Sequence, residues 1–433
     1  MSILGAMYAA VSGLNANSNA LGIISDNIAN ANTVGYKDTS TDFLTLVTQS
    51  GITSEYSPGG VQTKPIYNIA QQGAIQGSSS PTDLAIAGGG LFVVNSSPAG
   101  ATGNGTTSFT RAGNFTIDAN GNVVNAAGLY LQGQALTPAQ SAAIAAGGAP
   151  TLAGSTVGAL TTVNVNSISD TATPTANITL AANLPADSAS PQTMTVPVYD
   201  TQGVEHDLTL TFTPTATPNQ WSVGGSFASA GTTTATVAAG DNIVQFNPDG
   251  TIDAAASTFN TAGALSIAWD PAVSGGTSPQ ALSFNIGADG TTNGLSQLGS
   301  TFNVTKVTQD GVQFGNFSSV SVGTNGVVTA RFTNGLTTAI AIVPLATFEN
   351  PNGLTPESGD TYLESAESGT PLLQLAGTGA AGQIEASSLE NSTVDIATEF
   401  SKLIIAQQSY SANSKVLTTA NQMTQSLLQI QTG

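Results

Sequence analysis

Catalysis by proton transfer or nucleophilic attack needs matched titratable groups, and this chain offers few of them. It has one histidine, His206, inside a run that reads as a β-strand. A lone histidine there is more simply a packing residue than a general base. Cysteine is absent from the sequence, which excludes disulfides, thiolate metal sites and a cysteine nucleophile. No G-x-S-x-G elbow, G-x-x-x-x-G-K-[ST] loop or H-E-x-x-H helix occurs, and each of these would place reactive atoms by a defined turn or helix. Gly88-Gly89-Gly90 lacks the lysine and hydroxyl of a phosphate cradle. It lies between Leu84-Ala85-Ile86-Ala87 and Leu91-Phe92-Val93-Val94, so it reads as a tight β connection. Asp118-Ala119-Asn120-Gly121-Asn122 opens like a calcium loop, but Val123 takes the glycine position and Ala126-Ala127-Gly128-Leu129 supplies no closing carboxylate, so it reads as a turn. The expectation is a protein with no catalytic, cofactor or metal site.

If chemistry is missing, the chain must work through its surfaces. Seven Lys and Arg stand against 26 Asp and Glu, a net charge of −19, which repels nucleic acid. The 48 glycines, with abundant Thr, Ser, Ala and Asn, suit a β-rich extracellular chain with many tight turns. A hydrophobic content of 40% argues against disorder for most of it. At 433 residues, two or more domains are expected. No Lys or Arg precedes Lys37, so the basic region of a Sec signal is missing and export by another route is expected. No apolar run approaches the roughly 18 to 20 residues that a membrane helix requires, so membrane insertion is not expected.

The elements fall into two helical ends around a β middle. Leu4, Met7, Val11, Leu14, Leu21 and Ile28 follow a 3-4 spacing shared with Ser18 and Ser25, an apolar seam on a helix of about 28 residues and roughly 42 Å. It stops at Asn30-Ala31-Asn32-Thr33-Val34-Gly35. Leu389, Ile396, Leu403, Tyr410 and Leu417 recur every seven residues, flanked by Phe400 and Leu428, and mark a second seam at the other end. Helices with thin, partly polar seams gain most of their stability from a partner. They look built to fold upon assembly, although an intramolecular two-helix hairpin would carry the same pattern. Between them, Phe109 to Ile117, Val198 to Phe212 and Val244 to Phe246 precede turn signals and read as hairpins. Loose stretches at 138–160 and 286–300 bracket an insertion. The fold class expected is α+β: paired terminal helices, coiled-coil-like, with nested, mostly antiparallel β domains inserted between them. The expected domains are 1–71 plus 384–433 (helical), 72–164 plus 306–383 (middle β), and 165–305 (outer β).

Ser25-Asp26-Asn27-Ile28-Ala29-Asn30-Ala31-Asn32-Thr33-Val34-Gly35-Tyr36-Lys37 closely resembles the signature that ends the amino-terminal helix of flagellar rod, hook and hook-associated proteins, with Asn27, Asn30, Asn32, Gly35 and Tyr36 in its turn. Asp83 to Val94, and Phe109-Thr110-Arg111-Ala112-Gly113 through Gln132-Gly133, are similar to the shared β domain of that family. Leu389-Glu390-Asn391-Ser392-Thr393-Val394-Asp395 and Ala406-Gln407-Gln408-Ser409-Tyr410 match its closing helix, with Gln408 where the family usually has Arg. Val198 to His206 resembles a segment of the outer domain inserted in hook subunits, while Phe332 to Gly335 and Ala346 to Leu354 resemble return strands of their middle domain. The Ala/Thr-rich stretch 140–190 is an expansion that does not align with the family pattern. The resemblance implies a subunit that polymerises into a bendable hollow tube carrying torque from rod to filament. Its implied partners are further copies of itself, the rod, hook-cap and hook–filament junction proteins, and the flagellar export apparatus, at an extracellular site and with no cofactor. A distal rod or junction subunit is the nearest alternative. A secreted β-rich adhesin or glycan-binding module would suit the composition but leaves the two seams unexplained.

Overall fold

The computed structural model describes residues 3–46, 59–99, 105–154, 156–166, 172–227, 235–239, 242–259, 265–269 and 280–432. The chain divides into two compact units: Met1–Ser167 with Ser319–Arg331 and Thr337–Gly433, and Ile168–Ser318 with Phe332–Leu336.

Helix α1 spans Ile3–Ala29 and ends where Asn30 and Thr33 close successive turns on Asp26, Asn27 and Asn30. Only Gly35 in this segment takes a left-handed backbone (φ +76°); Asn30 and Asn32 do not. The segment then runs into an antiparallel hairpin of Thr39–Thr45 with Val61–Tyr67. Outgoing and returning chain next pair in two short ladders, Ile75–Gly77 with Ser388–Glu390 and Leu84–Ala87 with Gln383–Ala386. These ladders bring the two ends of the chain together, and the long helix α3, Ile396–Thr432, packs along α1. Leu389 therefore lies in a strand, a correction to its expected place on the closing helix. The physical reason lies on both sides of it: the backbone of 388–390 is committed to a ladder, and a helix begins only after Asp395, whose carboxylate accepts from the Thr398 amide at 2.9 Å.

The same unit carries a thirteen-stranded sheet that includes, in order, Val327–Phe332, Thr337–Ile342, Tyr130–Ala135, Leu91–Asn95, Thr107–Thr110, Thr361–Leu363 and Thr355–Glu357. Leu91, Val93, Phe109, Ala346, Leu354 and Tyr362 fill its core. The run Phe109 to Ile117 is two strands, because Arg111 turns inward and Gly113 sits so close to Leu84 that an added Cβ would lie 1.6 Å from its carbonyl oxygen. Phe115–Ile117 and Val123–Asn125 do form the expected hairpin. In its turn the Asp118 carboxylate accepts from the Asn120 and Asn122 amides, both at 2.8 Å. Gly88–Gly90 connects two strands of different sheets, with φ of +117° at Gly88 and +111° at Gly90. A helix not anticipated from the sequence, α2 (Pro138–Ala145), is held by a capping box between Thr137 and Gln140, and its Ser141 hydroxyl donates to the Ala339 carbonyl.

The second unit is a β-sandwich. One sheet runs Gln192–Tyr199, Glu205–Pro214, Gln220–Phe227, Ile243–Phe246, Ile252–Asp253, all antiparallel. The other is built on Asn177–Asn183, which pairs antiparallel with Asn303–Gln309 and parallel with Gln280–Asn285 and Leu295–Ser296. Burial alternates along Asn177–Asn183 and along Glu205–Pro214, so each sheet gives one face to a common core. Phe259 lies at its centre, stacked on Phe284 (4.3 Å between ring centroids) and edge-on to Phe212. His206 sits in the strand Glu205–Pro214, where its Nε2 is 3.1 Å from the buried Asp200 carboxylate.

Candidate assembly site

Two features of the first unit meet at the base of the helix pair: a buried polar junction and an apolar surface without a covering element. The junction centres on Glu390, which is fully buried. One carboxylate oxygen accepts from the Lys37 ammonium and from the Gly73 amide (2.6 Å), and the other accepts from Arg111 Nη1 at 3.1 Å. Lys37 also donates to the Gln71 carbonyl, and Arg111 Nη2 donates to the Gly88 carbonyl at 2.8 Å. Lys37 and Arg111 are each 3% exposed. Burial pulls the Lys37 pKa below that of an ordinary lysine, against the opposing pull of Glu390. Four segments far apart in sequence are thereby tied at one carboxylate. Gly35 adds a backbone tie, its amide donating to the Glu390 carbonyl at 2.8 Å.

A second polar knot joins α1 to α3. Asn27 is buried and uses all of its amide: Nδ2 donates to the Thr39 carbonyl (2.8 Å) and to Glu399 (3.2 Å), while Oδ1 accepts from the Thr39 amide (3.0 Å) and the Tyr36 hydroxyl (3.2 Å). Glu399, on the first turn of α3, also pairs with Lys402 at 2.7 Å. Burial, with Asp26 and Asp360 nearby, raises the Tyr36 pKa. Asn30 Nδ2 donates to the Asp26 carbonyl and its Oδ1 accepts from Thr33. Asn32 is exposed. Of the five signature residues, Asn27 and Tyr36 thus meet in this knot, Gly35 is tied to the Glu390 junction, Asn30 closes the local turn, and Asn32 stands outside both.

The helices pack through small residues. On α1 the buried positions include Ala10, Gly13, Asn17, Ala20, Ile24 and Asn27, a 3-4 spacing that falls one residue before Val11, Leu14, Ser18, Leu21, Ser25 and Ile28, with Ala16 buried beside them. Gly13 permits the close approach, since a Cβ there would sit 2.7 Å from Asn413 Nδ2 on α3. The α3 face contributes Glu399, Ala406 and Ala420, buried, with Leu403, Asn413 and Leu417 half-buried. The stripe that the sequence singles out lies beside this seam: Leu4 is 62% and Val11 41% exposed, while Met7, Leu14, Leu21 and Ile28 are half-buried. On α3, Ile396, Phe400 (51%), Tyr410 and Leu428 are exposed, joined by Ile404 (53%) and Ile405. Phe43, Leu44 and Leu46 of the neighbouring hairpin are exposed as well. A groove of about 550 Å³ runs between these elements, lined by Ile23, Ile24, Phe43, Ile405 and Ala406. Soluble monomers rarely present so many large apolar side chains to solvent, which marks the helix pair as an interaction surface.

Lys37, Arg111 and Glu390 fall inside motifs quoted above and Glu399 lies between two of them, but their convergence is a three-dimensional fact that spacing does not carry. Among the described residues no group of His, Asp and Glu is arranged to hold a metal ion, and no helix is long and apolar enough to cross a membrane.

Comparison with known proteins places names on these segments. Residues 7–37 match the family model described as Flagella basal body rod protein, and residues 85–168 match the Flagellar hook protein FlgE/F/G D1 domain. Residues 164–312 match the Flagellar basal body protein FlaE D2 domain, and 385–430 the Flagellar basal body rod FlgEFG protein C-terminal. The chain is 35% identical to the Flagellar hook protein FlgE of Rhizobium meliloti over 99% of this chain and 100% of that protein. It is 34% identical to the one from Brucella suis (98% of each) and 30% identical to the one from Escherichia coli (97% of this chain, 98% of that protein).

Proposed function

Because the chain belongs to the flagellar hook protein FlgE family, and is a structural subunit of the hook, we propose that the exposed apolar face of the α1–α3 pair is the surface through which its copies polymerise. That face carries the proposal: Leu4, Val11, Phe400, Ile404 and Ile405 are large, apolar and open on long helices whose own seam is only Ala, Gly and Asn with a few larger residues. Burial in water-exposed polymer contacts contributes about 1.5 to 3 kcal/mol per large side chain, so a handful of them supports a stable lattice of subunits. Met7, Leu14, Leu21, Ile28, Leu403, Tyr410, Leu417 and Leu428 widen the same face, whereas Leu389 belongs to the junction beneath it.

In this reading the helices form the inner layer of a hollow tube, residues 72–164 plus 306–383 a middle β layer, and 165–305 an outer one. The junction around Glu390 and Asn27 fixes the helix pair to the β layer, so torque on one passes to the other. Polar, Thr- and Ser-rich β surfaces let neighbouring subunits exchange hydrogen bonds and slide as the tube bends. Rod, hook-cap and hook–filament junction proteins are the proposed partners at the ends, and the flagellar export apparatus the proposed route out of the cell.

The test is sedimentation under polymerising salt of the intact chain and of Phe400→Asp and Ile404→Asp. The intact chain pellets, and both variants stay soluble with unchanged circular dichroism. Pelleting of both variants like the parent overturns the assignment of this face.

A further inference from the structure

Between α1, the Thr39–Thr45/Val61–Tyr67 hairpin and the turn before Thr361 lies an open hollow of about 700 Å³. Three carboxylates stand in its wall: Asp26 on α1, and Glu357 and Asp360 on either side of Ser358-Gly359. None of them forms an ion pair among the described residues, and Glu357 accepts there only from the Ser108 hydroxyl, at 3.4 Å. Tyr36, Tyr67 and Tyr362 supply aromatic rings to the same wall. Tyr362 is 6% exposed, yet its hydroxyl has no hydrogen-bond partner among the described residues and reaches the hollow. The local field is negative. Burial pushes the Asp360 carboxyl up with no cation to oppose it, and burial, with Asp360 close by, raises the Tyr36 and Tyr362 hydroxyls. Lys37 also borders the hollow, but its ammonium is engaged with Glu390 and Gln71. Aromatic faces beside unpaired carboxylates make a receptor for an ammonium group.

Elimination points to the donor. Helix α1 carries no Lys or Arg, and α3 carries Lys402 and Lys415. Lys402 pairs with Glu399, whereas Lys415 is exposed beside Tyr410 and has no ion pair among the described residues. Lys64 stands opposite Asp42, on the strand face away from Thr63 and Pro65, which line the hollow. Lys306 and Arg331 lie on β-strands, outside the helix pair. Lys415 cannot reach the hollow of its own chain. Asn413 lies against Gly13 and Glu399 against Asn27, so the helices run antiparallel and Lys415 stands level with Val11. At 1.5 Å per residue that is roughly 22 Å along the axis from Asp26.

We propose that the hollow receives the Lys415 ammonium of a second copy of this chain, which pairs with Asp26, Glu357 and Asp360 and staggers neighbouring subunits by roughly 22 Å along the helix axis. The inference rests on polymerisation through the helix pair and adds the contact that sets its register.

The experiment compares the critical concentration for pelleting of the full chain, of Lys415→Glu, of Asp26→Lys with Glu357→Lys, and of a chain carrying all three changes. The three positions are exposed, so each variant keeps the parent's circular dichroism. The first two variants raise the critical concentration about tenfold by setting like charges together, and the full swap returns it to within about threefold of the parent. Carbodiimide, which joins an ammonium to a touching carboxylate, links Lys415 to Asp26 or Glu357 in the polymer and not in the soluble chain. Parent-like pelleting of either of the first two variants, a full swap no better than they are, or absence of that cross-link overturns the pairing. If Phe400→Asp and Ile404→Asp still stay soluble, the polymerising face stands without it.

Discussion

Replacing Glu390 with Gln tests the junction without changing its shape. The carboxylate receives three donors, from Lys37, Gly73 and Arg111, in a site where neither cation is more than 3% exposed. Glutamine keeps one acceptor and turns the other into a donor facing a donor, leaving two buried cations without an anion. Breaking a buried pair in this way costs about 3 to 5 kcal/mol. With a urea dependence of about 2 to 3 kcal/mol per molar, the unfolding midpoint of the first unit falls by about 1 to 2.5 M. The two units can be followed separately. Both tryptophans, Trp221 and Trp269, lie in the second unit, whereas α1, α2 and α3 all lie in the first. Urea melts at pH 7, read by ellipticity at 222 nm and by tryptophan fluorescence, should show the helical transition moving and the fluorescence transition staying. Adding Lys37→Met to Glu390→Gln removes one stranded cation and restores part of the loss. A helical midpoint that moves by less than about 0.3 M, or two signals that move together, refutes the role given to Glu390.

Gly35→Ala places a methyl group 2.6 Å from the Ala112 amide nitrogen on a left-handed backbone, so a loss of at least about 2 kcal/mol is expected in the helical urea transition. Phe259→Ala opens the centre of the sandwich and lowers the tryptophan-detected stability by about 3 to 5 kcal/mol, with α-helical ellipticity unchanged. The Thr398 amide holds the Asp395 carboxyl below its ordinary pKa. The carboxylate's contribution is therefore complete above about pH 3.9 and is lost as pH falls through the lower folded value. Asp395→Asn keeps a capping side chain without a titrating group, so its loss of ellipticity below pH 4 should be shallower than the parent's.

The ends of the chain were legible because their signals are local. The heptad spacing marks α1 and most of α3, and the Asn- and Gly-bearing turn after α1 marks where it stops. Turn residues likewise mark the hairpins at Asp118–Asn122 and Asn247–Gly250. What spacing could not give was the side on which the helices meet. The large residues Leu4, Met7 and Val11 look like the natural seam, yet the pair closes on Ala10, Gly13 and Ala20, since small side chains let two backbones approach and leave the large ones outward. Leu389 fits the sevenfold repeat by coincidence, because a strand ladder claims its backbone. Helix α2 lay in a stretch dominated by Ala, Gly and Thr that reads as loose, and its signal was the Thr137-Pro138-Ala139-Gln140 capping box. The ion cluster was the least legible part. Lys37, Arg111 and Glu390 are hundreds of residues apart at the extremes, and only the pairing of outgoing and returning strands brings them together.

The most direct test of polymerisation through the helix pair is a cryo-electron microscopy map of the assembled tube with side chains resolved. Val11, Phe400 and Ile404 are predicted to lie buried against neighbouring subunits. Finding all three facing water, with the subunit contacts made elsewhere, would contradict the account.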